Sequence, residues 1–164
     1  MSSTSLSTDR PIYVLNGPNL NRLGEREPEI YGSTTLRQVE ALCRQAAGKR
    51  PIEFRQTNHE GQIVDWIHEA IDRGSGIVIN PAGYSFTSIA ILDALKMFPG
   101  PIVELHITNI HRREAHYHRS LISKVATAVI AGLGAQGYAV AVRAIEEMLR
   151  AESAPAVPMR PVRR

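Results

Sequence analysis

Ile12-Tyr13-Val14-Leu15, cut off by Asn16-Gly17-Pro18, is the stretch from which the fold can be read. A short apolar run that stops abruptly in turn residues reads as a strand buried on both faces. The same grammar returns at Ile77-Val78-Ile79, which Asn80-Pro81 ends. Further apolar runs at residues 52–56, 102–107 and 125–131 bring the expected strands to five.

Helical spacing fills the intervals. Leu36, Val39, Leu42, Cys43 and Ala46 recur on one face after the capping candidates Ser33, Thr34 and Thr35. Ile63, Ile67, Ala70 and Ile71 mark a second helix, closed by Gly74 and Gly76. Ile89, Leu92, Leu95 and Phe98 line a third, ended by Pro99-Gly100, and Tyr138, Val142, Ile145 and Leu149 line the last. Strands alternating with helices imply an α/β chain with a parallel sheet covered on both faces. The expected architecture is a flavodoxin-like three-layer sandwich, with five parallel strands in the order 2-1-3-4-5. In such sheets ligands bind beyond the carboxyl ends of the strands. The segments after strands one, three and four are therefore the candidate site. Two of them, residues 16–33 and 108–124, are long, as lids and binding loops are.

A length of 164 residues fits one domain. Residues 11–151 are expected to form it. Residues 1–10 are expected to be a flexible leading segment, and residues 152–164 a tail containing Pro155, Pro158 and Pro161. Apolar residues at 43% and charged residues at 21% describe a globular chain. The net charge is +3, with no basic helix or aromatic-basic stripe, so nucleic acid is not an expected partner. Cys43 stands alone, which rules out a disulfide framework and a cysteine-based zinc site. No apolar stretch approaches the roughly 20 residues that span a bilayer, and the first residues lack a signal-peptide core. Neither a membrane partner nor export is expected, and the compartment expected is the cytoplasm.

Individual motifs leave alternatives open. Gly132-Leu-Gly134-Ala-Gln-Gly137 has the spacing of a dinucleotide loop. It lies in the last βα unit, however, with little chain beyond it for a ribose-binding acid, and reads as a tight turn. His111, Glu114, His116 and His118 crowd the second long loop, but Arg112, Arg113 and Arg119 among them would repel a metal ion. Glu104 and His106 share one face of a strand. They are either a proton donor with its orienting carboxylate or a core histidine near a chance acid. Arg26 and Tyr31 lie on the first long loop. A phenol titrates near 10, so holding it ionised at neutral pH costs about 4 kcal/mol unless a nearby cation offsets this. The alternative is a loop tyrosine that packs its ring. Asparagine at both strand ends, Asn16 with Asn19 and Asn80, is either turn chemistry or ligand contact.

Together the segments Leu15-Asn-Gly-Pro-Asn-Leu-Asn-Arg-Leu-Gly24, Tyr31-Gly32, Asn58-His-Glu-Gly61, Asn80-Pro-Ala-Gly-Tyr84, Glu104-Leu-His-Ile-Thr-Asn109 and Gly137-Tyr138 resemble the type II 3-dehydroquinate dehydratases, in order and in spacing. The resemblance implies anti elimination of water from 3-dehydroquinate to 3-dehydroshikimate, in aromatic biosynthesis or quinate breakdown. It implies no cofactor, nucleotide or metal, and a dodecamer built of trimers. Carried over by position, Tyr31 is the base, with Arg26 and Arg113 favouring its anion. Asn19 holds a water or oxygen near the developing enolate. His106, oriented by Glu104, is the acid. Asn80 and the backbone N–H groups of Ile107 and Thr108 bind the carboxylate, and Asp93 reaches a neighbouring subunit's site.

Three positions depart from the family pattern. Phe86 stands where a histidine is usual, Tyr117 where an arginine is usual, and Leu92 replaces a common arginine beside Asp93. Phe86 and Tyr117 occupy substrate-holding positions, and the two hydrogen bonds lost there are together worth about 2–4 kcal/mol. Three functions follow: a dehydratase of 3-dehydroquinate, a related dehydratase for a less hydroxylated cyclic acid, or a non-catalytic binding protein. The intact set Asn19, Arg26, Tyr31, Glu104 and His106 argues against the last.

Overall fold

The structure, a computed structural model, describes residues 9–25 and 27–153. Its strands are β1 (Ile12–Asn16), β2 (Ile52–Gln56), β3 (Gly76–Asn80), β4 (Ile102–His106) and β5 (Ala128–Ala131). All pair in parallel, in the order β2-β1-β3-β4-β5. The helices are α1 (Pro28–Tyr31), α2 (Leu36–Ala47), α3 (Glu60–Arg73), α4 (Ile89–Lys96) and α5 (Gln136–Ser153). This is the flavodoxin-like arrangement that the alternating pattern predicts.

Successive strand residues point to opposite faces of the sheet, which builds two cores. Ile12 and Val14 pack with Val39 and Cys43 of α2 and with Val142 and Ile145 of α5. Tyr13 and Leu15 pack with Ile63 and Ile67 of α3 and with Ile91 and Leu95 of α4. Of the three capping candidates before α2, Thr35 does the work. Its hydroxyl accepts from the Gln38 N–H, and the Gln38 side chain accepts from the Thr35 N–H, a reciprocal capping box.

The elements differ from expectation in five places. β4 ends at His106 rather than Ile107. β5 begins at Ala128 rather than residue 125, because the N–H groups of Val125 and Ala126 turn back to the Ile122 carbonyl instead of joining the ladder. Ile89 does not face the core; it is 64% exposed on the outer side of α4. That helix ends at Lys96, and Phe98 is buried just beyond it. At the other end of the chain α5 runs to Ser153, so Glu152 and Ser153 are helical rather than part of a tail. The rest of that tail, and residues 1–8, lie outside the described residues.

The carboxyl ends of the central strands are tied together by one phenol. Asn16 and Asn80 are register partners on β1 and β3. The buried Tyr138 hydroxyl of α5 donates to Asn16 Oδ1 at 2.7 Å and accepts from Asn80 Nδ2 at 2.9 Å. Asn16 Nδ2 in turn donates to the Arg55 carbonyl of β2 at 3.0 Å. Burial raises the Tyr138 pKa, with the Asn80 hydrogen bond opposing it, so the group stays a neutral phenol able to do both jobs. Gly17 follows at once. A Cβ there would lie 2.3 Å from the Pro81 carbonyl oxygen, so only glycine lets the two turns meet. Replacing Tyr138 by Phe strands two buried amides and should destabilise the fold by about 1–3 kcal/mol. Urea unfolding of Tyr138→Phe measures this, and an unchanged midpoint and slope would refute the lock.

Candidate active site

A cavity of about 220 Å³ opens beyond the carboxyl ends of β1, β3 and β4, where the strand order reverses. A larger cavity of about 540 Å³ lies elsewhere, between the ends of α2 and α5. Its buried charges, Arg50 and Glu146, are paired with each other, which leaves the smaller cavity as the candidate site.

The loop after β1 brings Asn19 and Tyr31 to the cavity. Asn19 is held in the left-handed region, with φ at 69°, and its N–H donates to Asn58 Oδ1 at 3.0 Å. Tyr31 closes the single turn of α1, which Pro28 starts. The half-buried Arg113 approaches from the loop after β4, and its Nη1 donates to the Tyr31 hydroxyl oxygen at 2.9 Å. The same guanidinium lies 4.0 Å over the Tyr117 ring. His118 Nε2 donates to the Arg113 carbonyl, which holds the backbone of that arginine. Arg26 lies outside the described residues.

β4 delivers the second chemical group. Glu104 and His106 are buried, with side chains on one face as their spacing requires. His106 Nε2 meets Glu104 Oε1 at 2.7 Å, and the Ser123 hydroxyl donates to Oε2. Burial pushes the Glu104 carboxyl pKa up, but hydrogen bonds from His106, Ser120 and Ser123 outweigh it, so the group sits below the ordinary carboxylate value. Behind this pair the Gly132-x-Gly134 segment acts as a prop. Gly132, with φ at 88°, donates to the His106 carbonyl, and Gly134 donates to the Ile107 carbonyl. That is the tight-turn reading of the glycine motif.

Asn80, Ile107 and Thr108 line the cavity between the two chemical groups. The Asn80 side chain is oriented by its neighbours: Oδ1 accepts from the Ala82 N–H at 3.2 Å, and Nδ2 reaches Tyr138. Phe86 and Tyr117 form an aromatic wall. Leu92 is 7% exposed, packs in the core on the α3–α4 side and does not line this cavity. Asp93 does not line this cavity. It is exposed on α4, where it pairs with Lys96 at 2.9 Å.

Sequence reading missed Tyr138 as a polar group, Asn16 as its partner, and Ser123 and Ser120 behind Glu104. Tyr138 sits at a helical apolar position, so periodicity explains its ring and says nothing of its hydroxyl. Ser123 has no spacing relation to Glu104 that a motif could reveal. Among the described residues no group of three or more His, Cys, Asp or Glu side chains is placed to hold a metal ion. Among them no helix is long and apolar enough to cross a membrane.

Comparison with known proteins agrees with this architecture. Residues 10–146 match the family described as Dehydroquinase class II. A 3-dehydroquinate dehydratase of Streptomyces avermitilis is 58% identical over 148 residues, covering 88% of this chain and 93% of the relative. The solved type II dehydroquinase of Propionibacterium acnes is 43% identical, with a TM-score of 0.77 over 87% of this chain and 97% of that one. The type II dehydroquinase of Butyrivibrio crossotus is 38% identical, with a TM-score of 0.82 over 85% and 99%. A family match across most of the chain, together with relatives this similar, means that the chain belongs to the class II dehydroquinase family.

Proposed function

We propose that this protein is a hydro-lyase that converts 3-dehydroquinate to 3-dehydroshikimate by anti elimination, with Tyr31 as base and His106 as acid. The observation that supports this best is that a cation-paired phenol and a carboxylate-paired imidazole line one cavity. The proton to be removed lies next to a ketone and is weakly acidic, so a base and a stabiliser of the enolate must act together. The Arg113 guanidinium donates to the Tyr31 oxygen at 2.9 Å, so a cation faces the atom that acts as base. The phenolate takes the proton, and the electron pair moves onto the ketone oxygen. Asn19 positions a water or supplies its amide at that oxygen. The enolate then collapses, the carbon–oxygen bond opposite breaks, and the hydroxyl leaves as water with a proton from His106. The ionised Glu104 offsets the charge of the imidazolium that donates it. Proton exchange with solvent restores both groups. Asn80, with the N–H groups of Ile107 and Thr108, binds the substrate carboxylate. Arg26 adds a second cation from the loop when it closes.

We also propose assembly into trimers and from these a dodecamer, with Asp93 serving the site of a neighbouring subunit. Ile89 and Asp93 on the outer face of α4, and Met97 just past its end, recur at four-residue spacing, and the two apolar members are 64% and 55% exposed. Such a face suits burial against a second copy.

Three measurements test these roles. Tyr31→Phe should lower kcat for 3-dehydroquinate by about 100-fold or more, followed as the absorbance of the conjugated product. Turnover at the wild-type rate would remove Tyr31 from the chemistry. Glu104→Gln should lower kcat and also change the response to acid. A carboxyl whose folded pKa is depressed contributes stability above its unfolded value, about 4.3, and loses it as pH falls through the folded value. Wild-type stability should thus decline below about pH 4.3, and more steeply than that of Glu104→Gln. Parallel declines would contradict the assignment. Asp93→Ala should reduce particle size by gel filtration together with activity, and a variant of full size and rate would exclude the cross-subunit role.

A further inference from the structure

Phe86 ends the short 3-10 turn Ala82–Phe86 that follows β3. Its ring stacks on His106, with centroids 6.1 Å apart and planes inclined by 25°. Tyr117 meets the Phe86 ring edge-on at 5.4 Å. Arg113 lies over the outer ring, its guanidinium 4.0 Å from the Tyr117 centroid. The result is a continuous aromatic wall running from the proposed acid to the cation beside the proposed base. The one Arg113 guanidinium thus contacts both the Tyr31 oxygen and the Tyr117 face.

This wall meets a definite part of the substrate. Besides the departing hydroxyl, 3-dehydroquinate carries hydroxyls on two adjacent ring carbons. With the carboxylate at Asn80 and Thr108, and the reacting carbons between Tyr31 and His106, the remaining edge of the ring faces the rest of the lining. That lining holds Asn19 and Arg113, which the proposed chemistry engages, and otherwise Leu20, Ala82, Ile110, Phe86 and Tyr117 with Pro18 and Gly83. Beyond Asn19 and Arg113, the Tyr117 hydroxyl is its one polar side-chain atom. A substrate hydroxyl pressed against Phe86 gives up its water and gains no partner. A C–H at the same place packs on the ring face at no such penalty.

Resting on the elimination proposed above, we infer that the site is selective for a cyclic hydroxy-keto acid lacking a ring hydroxyl on the edge that faces Phe86. Phe86 and Tyr117 are its specificity-determining residues. An apolar wall discriminates against an added hydroxyl only within limits, on the order of 10- to 100-fold. The parent compound therefore remains a substrate, though a poorer one.

The test compares kcat/KM for 3-dehydroquinate with that for the two analogues in which one or the other adjacent hydroxyl is replaced by hydrogen. Wild-type protein, Phe86→Leu and Phe86→His are each assayed by product absorbance. The inference expects one analogue to exceed the parent by about tenfold or more in the wild type. Phe86→Leu should keep that preference, which controls for damage to the fold. Phe86→His should shrink it by about tenfold, mainly through a lower KM for the parent. Equal or better use of the parent by the wild type overturns the inference and leaves the elimination reading standing. So does a preference that Phe86→His leaves unchanged. If the wild type acts on none of the three compounds, the elimination reading fails and the inference falls with it.

Discussion

A single buried phenol, Tyr138, holds the functional end of the sheet in register. Its oxygen accepts a hydrogen bond from Asn80 and its O–H donates one to Asn16, so β1 and β3 are bonded side chain to side chain as well as through the ladder. Asn16 extends the tie to the β2 backbone. The exchange works only with a neutral phenol, and full burial secures that state. One side of the cavity is mounted on this floor, and β4 with its following loop supplies the other. The turn after β1 leads to Asn19 and Tyr31, the turn after β3 leads to Phe86, and Asn80 belongs to both floor and cavity.

The chain thus uses tyrosine in two opposite ways. Tyr138 is sealed from water and bonded only to neutral amides. Tyr31 is half-buried, with a guanidinium against its oxygen. The surroundings separate a structural hydroxyl from the one proposed to act as base. The carboxylate behind His106 follows the same logic in reverse. An isolated ionised carboxyl at 0% exposure would be strongly disfavoured. Glu104 tolerates the position because His106, Ser120 and Ser123 supply hydrogen bonds to it. Its charge is then held directly against the His106 ring, which lines the cavity.

Most of the fold was legible because it follows from periodicity and turn chemistry. The strand Ile52–Gln56 and the start of α2 after Thr35 were read from such signals. The failures share one cause: local pattern cannot see which partner a group finds. Val125 looks like the start of a strand, yet its N–H bonds backward to Ile122. Ile89 fits the helical stripe, yet α4 turns it outward. At the site, Glu104 and His106 could be paired from the period of a strand alone. Arg113 reaching Tyr31, across 82 positions, could be suggested by resemblance but not by spacing. The polar tip of Tyr138 was hidden because its ring already satisfied the apolar pattern of α5.

Gly17 has a consequence beyond its own turn. A methyl group at this position would collide with the Pro81 carbonyl and act as a wedge, prying open the seam between the first and third strands. The loop after β1, which carries Asn19 and Tyr31, and the turn after β3, which carries Phe86, would be pushed apart. The separation of these two walls of the cavity is therefore gauged by an empty volume no larger than one carbon atom, in a residue that does not itself line it.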